Sequence, residues 1–178
     1  MERSSYMLPV AVGCSYNRCK FCTLFRHLKY RELPMEQIEA ELERVRNLGG
    51  NPKHVFLGDG NAFGLDTGRL LKITDLIHRY FPDCCSINMD ATVTNIRAKS
   101  QEELQALRAA GIRHLYLGIE SGLDDVLVRM EKDHNLDQAY RQIDRIQNAG
   151  FIYDAHIMTG IAGHGRGREN AYAPAEFF

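Results

Sequence analysis

Short apolar runs alternate with longer segments of helical spacing along the 178 residues, and glycines stand at many of the junctions. Residues 7–13 read as a strand that ends in Gly13. Residues 34–48 place Ile38, Leu42 and Val45 on one helical face, with Pro34 at the start and Gly49-Gly50 at the stop. A second strand over 53–57 runs into Gly58-Asp59-Gly60, and a second helix follows over 66–80. Residues 84–89 form a third strand. Residues 100–110 form a third helix, with Ser100 and Glu103 as a capping box and Gly111 as the stop. A fourth strand (113–119), a broken fourth helix (124–130 and 136–149) and a fifth strand (151–158) complete the series. Residues 168–178 begin something helical that Pro174 limits.

Strands and helices at this interval make βαβ units and a parallel sheet with right-handed crossovers. About five such units fit either an open sheet or part of a barrel. In both, function gathers at the carboxyl ends of the strands. The polar and glycine-rich loops 13–30, 58–64, 90–95, 120–122 and 160–168 all fall there. Hydrophobic residues at 44% and charged residues at 25% fit one soluble domain over 1–178. No apolar run approaches a membrane span, and no signal-peptide pattern precedes the first strand, so a cytoplasmic location is expected. A net charge of −1 gives no electrostatic footprint for a membrane or nucleic acid, and leaves RNA open as a substrate.

Five cysteines in a chain without an export pattern argue against a disulfide framework. Three of them crowd into Cys14-Ser15-Tyr16-Asn17-Arg18-Cys19-Lys20-Phe21-Cys22. Three thiolates on one loop can hold three irons of a [4Fe–4S] cubane and leave the fourth open to a small molecule. Electron-transfer clusters ordinarily take four cysteines, and structural zinc sites prefer a closed shell. A Cys₃His zinc site using His27 and a set of inert thiols are the competing readings, although a loop this polar is a poor place to bury thiols for packing. Cys84 and Cys85 open the third strand, where at most one can point inward, and read as core packing. Asn88 and Asp90 share one face of that strand and could reach a pocket. Arg26, Lys29, Tyr30 and Arg31 read as a solvated basic face, or as groups that screen a cluster or meet an anionic substrate.

On the cysteine loop, and on Gly118-Ile119-Glu120-Ser121-Gly122, the chain resembles the radical SAM superfamily, in the branch of elongator-type proteins, methylthiotransferases and oxygen-independent coproporphyrinogen oxidases. Its first cysteine interval is a variant, with four residues where the superfamily usually has three. The resemblance implies a partial (βα) TIM-like barrel, truncated here after about five of six units. It implies a [4Fe–4S] cluster on Cys14, Cys19 and Cys22, with S-adenosylmethionine as cosubstrate. The Phe21 backbone would meet the adenine, and Gly58, Asp59 and Gly60 would grip the methionine amino group. Glu120 would accept the ribose hydroxyls, Ser121 and Lys132 would meet the methionine carboxylate, and Ile161, in Gly160-Ile161-Ala162-Gly163, would lie beside the adenine. An external one-electron reductant of flavodoxin or ferredoxin type would drive cleavage to a 5′-deoxyadenosyl radical, which takes hydrogen from an unidentified substrate. No side chain is singled out as acid or base. A non-catalytic iron–sulfur carrier or sensor and a zinc-stapled binding module are the rivals, and the Glu-Ser-Gly loop favours the enzyme.

Overall fold

The fold is drawn from a computed structural model, which describes residues 4–173. Among the described residues six strands form one sheet. β1 (Tyr6–Gly13), β3 (His54–Gly60), β4 (Ser86–Ala91), β5 (Ile112–Glu120) and β6 (Ile152–Ile157) run parallel in that order. β2 (Arg31–Glu32) pairs antiparallel with β1, Val12 opposite Arg31 and Ala11 opposite Glu32. Among the described residues the sheet does not close: β2 and β6 are its two edges. It is the partial barrel expected from the sequence.

Helices α1 (Met35–Asn47), α2 (Thr67–Tyr80), α4 (Gln101–Ala109), α5 (Asp124–Arg129) and α6 (Leu136–Asn148) follow the expected segments. Ser100 and Glu103 make the reciprocal capping box, and Asn135 with Gln138 makes a second one. The core lies between helices and sheet. Leu8 and Val10, Val55 and Leu57, Ile87 and Met89, and Leu115 and Leu117 face Ile38, Leu42, Ile73, Ile77, Leu104 and Ile143. Each fully buried aliphatic side chain there contributes about 1.5–3 kcal/mol of transfer free energy. The alternation leaves His114, Tyr116, Gly118 and Glu120 of β5 on the opposite, concave face.

Three features differ from the expectation. The segment expected as a loop over 90–95 contains a short helix, α3 (Val93–Arg97), whose N-cap Thr92 accepts from the Asn95 amide. Arg31 belongs to an edge strand. The third strand begins at Ser86, so Cys84 and Cys85 precede it: Cys84 is buried, while Cys85 is exposed with its thiol on the Lys53 carbonyl at 3.3 Å. A last short helix, α7 (Gly167–Tyr172), covers part of the expected C-terminal segment, and residues 174–178 lie outside the described residues.

Candidate functional site

Cys14, Cys19 and Cys22 line one cavity of about 320 Å³ at the carboxyl ends of the strands, together with Phe21, Gly60, Glu120 and Lys132. Asp90, Tyr116 and His156 complete its wall from β4, β5 and β6. Residues from six places along the sequence thus share one space.

The cysteine loop is held from several sides. Lys20 N–H donates to the Met130 carbonyl at 3.0 Å, the Tyr16 hydroxyl donates to the Glu131 carbonyl, and the Lys20 ammonium lies 3.0 Å from Glu131. Within the first cysteine interval Asn17 sits at φ +49°, and its side-chain amide nitrogen donates to the Phe25 carbonyl at 2.9 Å. Asn tolerates that left-handed backbone better than most residues. Asn17→Val should therefore destabilise the loop by about 1–3 kcal/mol, whereas Asn17→Gly should cost under about 1 kcal/mol. Urea unfolding of the metal-free protein measures both.

Burial pushes the Cys19 thiol up. Lys132 opposes this, while Asp133, Cys14 and Cys22 add to it. Three thiolates this close disfavour one another, and a cationic metal core relieves that repulsion. Among the described residues no three Cys, His, Asp or Glu side chains are grouped around a point suited to one ion. His27 is exposed and outside the cavity. Ligands of a single zinc must all lie about 2.0–2.3 Å from it, whereas each thiolate of a multi-iron cluster meets its own iron. Three thiols lining one cavity, with no histidine beside them in its wall but His156, are a donor set whose chemistry suits iron–sulfur ligation.

At the opposite side of the cavity, the β5–β6 register shifts between Gly118 and Glu120, and Glu120 sits at φ +72°. This bulge re-aims the glutamate at the strand end. A Cβ on Gly118 would lie 2.6 Å from Glu120 Oε1 and 3.1 Å from Lys132 Nζ, so a larger residue there would have to displace the ends of both side chains. Lys132 Nζ lies 3.3 Å from Glu120 Oε1, with side-chain exposures of 5% and 13%. It also stands 5.9 Å from the centre of the Phe21 ring. The turn that delivers Lys132 is the end of α5: Lys132 N–H bonds the Leu127 carbonyl and Glu131 N–H bonds that of Val128, with Glu131 at φ +52°. The next residue, Asp133, is buried, which raises its pKa. Its hydrogen bond to His134 and the nearby Lys132 and Thr94 overcome that and hold it well below the usual carboxylate range. On the wall, burial raises Asp90 while His156 pulls it down.

Not every residue singled out in the sequence reaches the cavity. Gly60 does, but Gly58 does not, and Asp59 is exposed and outside it. Asn61 lies there instead: it is buried, its amide nitrogen bonds Asn95, and its side-chain oxygen has no partner among the described residues. Ser121 is fully buried away from the cavity. Its hydroxyl donates to Asn170 at 2.7 Å and accepts from Leu123 N–H, which ties α7 to the end of β5. Ile161 packs with Val126 and Ala162 beside Phe21, and its carbonyl accepts from Arg129 at 3.1 Å. Asn88 is buried and accepts from the Ser86 hydroxyl at 2.7 Å, while its strand-mate Asp90 reaches the wall. Tyr116, Asp133 and His156 escaped the sequence reading. Strand alternation from Gly118 and Glu120 marks Tyr116, but nothing local marks the other two.

A profile described as the radical SAM superfamily matches residues 8–172, and the chain belongs to that superfamily. It is 25% identical over 151 residues to the heme chaperone HemW of Bacillus subtilis (strain 168), covering 82% of this chain and 40% of that protein. It is 28% identical over 164 residues to the tRNA-2-methylthio-N(6)-dimethylallyladenosine synthase of Chlorobium phaeobacteroides, covering 88% of this chain and 36% of the other. The chain therefore spans less than half the length of these relatives. Among solved structures, the cobalamin-dependent S-adenosylmethionine radical enzyme OxsB superimposes with a TM-score of 0.72 at 19% identity, over 87% of this chain and 24% of that one. Coproporphyrinogen III oxidase (HemN) from Escherichia coli gives 0.65 at 16% identity, over 86% and 36%. At these identities the structural likeness speaks for the fold.

Proposed function

We propose that this protein is a radical SAM enzyme in which Cys14, Cys19 and Cys22 hold a [4Fe–4S] cluster and the adjoining walls bind S-adenosylmethionine. The observation that carries the reading is that the three thiols share one cavity with Gly60, Glu120 and Lys132. When bound, the cluster supplies the electron that splits the cosubstrate to methionine and a 5′-deoxyadenosyl radical, which then takes hydrogen from a substrate.

The chain's own groups bind and orient. Glu120, held at the strand end by the β5 bulge, accepts from the ribose hydroxyls. Lys132, already desolvated beside it, meets the methionine carboxylate. The Asn61 side-chain oxygen, buried and unpartnered, accepts from the methionine ammonium, the task expected of Asp59. Gly60 lets the backbone approach, and Phe21 walls the adenine side together with the apolar group that contains Ile161. Gly58 and Ser121 are assigned structural roles in the strand and its helix. In the cytoplasm, where thiols stay reduced, a flavodoxin- or ferredoxin-type donor supplies the electron. No helix among the described residues is long and apolar enough to cross a membrane.

The test is chromatography of products after anaerobic reconstitution and dithionite reduction. Wild type should yield 5′-deoxyadenosine and methionine without added substrate. Glu120→Ala should keep its iron but bind the cosubstrate about ten- to a hundredfold more weakly, the loss of one charge-assisted contact of about 1.5–3 kcal/mol. A full-length protein with an intact cluster and no deoxyadenosine would leave the electron carrier as the better reading.

A further inference from the structure

Arg26 lies four residues beyond Cys22, and its guanidinium is turned onto the backbone of the cysteine loop. Nε donates to the Cys22 carbonyl at 2.8 Å, and Nη2 donates to the carbonyls of Cys19 and Lys20, each at 3.0 Å. Two of these carbonyls belong to the ligand cysteines themselves. Cys19 O accepts a second time, from Cys22 N–H at 3.1 Å, which closes the turn between the two thiols.

The other side of one of these peptides is fastened too. In a trans peptide the N–H points opposite to the C=O. The Cys19 carbonyl meets Arg26, and the Lys20 N–H of that same peptide meets the Met130 carbonyl at 3.0 Å. The loop is therefore clamped between a side chain and the end of α5. Arg26 is exposed, so water could satisfy these carbonyls without it. What water cannot do is select one loop conformer, whereas a rigid planar fork with donors in fixed directions can. The same group places a permanent positive charge against two of the three ligand residues. With three donors engaged by its own loop, Arg26 is poorly placed to meet an anionic substrate.

We propose that Arg26 is a positioning residue for the cluster: it presets Cys19 and Cys22 for ligation and, as a fixed cation beside them, raises the midpoint potential of the bound cluster. The proposal rests on the cluster assignment above. The sign follows from charge: a reduced cluster carries one more negative charge, a neighbouring cation stabilises it, and the potential rises. Lysine keeps the charge but offers a single flexible ammonium in place of the fork.

The experiment compares wild type, Arg26→Lys and Arg26→Gln in the full chain. In the metal-free protein, amide exchange over residues 19–25 should speed up about tenfold in both variants, while the thermal midpoint stays near wild type because the side chain is exposed. After reconstitution, Arg26→Gln should be about tenfold harder to reduce, a fall of about 59 mV for one electron in a redox titration followed by electron paramagnetic resonance. Arg26→Lys should keep most of the potential and still lose the protection. Wild-type exchange together with a wild-type potential in Arg26→Gln would overturn the proposal. Failure of the wild-type protein to take up iron would overturn the cluster assignment, and with it the claim on the potential. The metal-free exchange data are read independently of that outcome.

Discussion

Replacing Cys19 with alanine is expected to abolish cluster assembly: iron after anaerobic reconstitution should fall from about four per chain to background, and the brown thiolate-to-iron absorption should disappear. Cys14→Ala and Cys22→Ala should do the same. In the proposed cluster, with three protein ligands and one iron open to a small molecule, removal of another thiolate would leave a second iron without its anchor. No other cysteine can substitute. Cys84 is buried ahead of β4, and Cys85 is exposed on the Lys53 carbonyl. Neither belongs to the cavity wall. Cys84→Ala and Cys85→Ala should therefore keep their iron. Stoichiometric zinc with no iron uptake in the wild-type protein would instead favour a zinc-stapled module.

Gly60→Ala is expected to cost about 2–6 kcal/mol, a large part of the net stability of a domain this size. Two independent effects add. Gly60 sits at φ +154°, which side-chain-bearing residues rarely adopt, and a Cβ there would lie 2.0 Å from the Gly13 carbonyl oxygen. That oxygen is backbone at the end of the neighbouring strand β1, so it cannot swing aside without breaking the β1–β3 pairing that brings Gly13 opposite Gly60. The cysteine loop starts at the next residue, so the same shift would move Cys14. Gly167→Ala is the control. No atom lies within 4 Å of its Cβ position, and it occupies the first position of α7, so a neutral to slightly stabilising change of under about 1 kcal/mol is expected. Urea unfolding of both variants measures the contrast.

The fold was readable because helix and strand signals in this chain are local. Ser100 and Glu103 cap α4 within one turn, and Ile38 and Leu42 sit one turn apart on α1. The alternation of Leu115, Leu117 and Ile119 with Tyr116, Gly118 and Glu120 fixes which face of β5 meets the helices. Two short elements were harder to see. The Thr92–Asn95 cap of α3 is present in the sequence, but a five-residue helix has too little periodicity to stand out. β2 is two residues long and exists because the loop returns alongside β1.

What the sequence determined by itself is the order of βα units, the rim where polar loops gather, and the crowding of Cys14, Cys19 and Cys22 on one loop. Each of these depends on residues close together in the chain. The tertiary structure decided which residues meet across the cavity. Asp59 looks like the ligand group in sequence, yet it is exposed to solvent, and Asn61 two residues on reaches the cavity wall instead. Ser121 looks like a ligand group beside Glu120, but Asn170, 49 residues away, takes its hydroxyl. Lys132 reaches Glu120 only because α5 ends in a turn with Glu131 at positive φ and because Gly118 leaves the space. Arg26 looks like one more solvated basic residue until the loop folds back and presents three carbonyls to it. Local periodicity records which element a residue joins. Contacts between residues far apart in sequence depend on the sheet order and on the path of each loop, which no short stretch of sequence encodes.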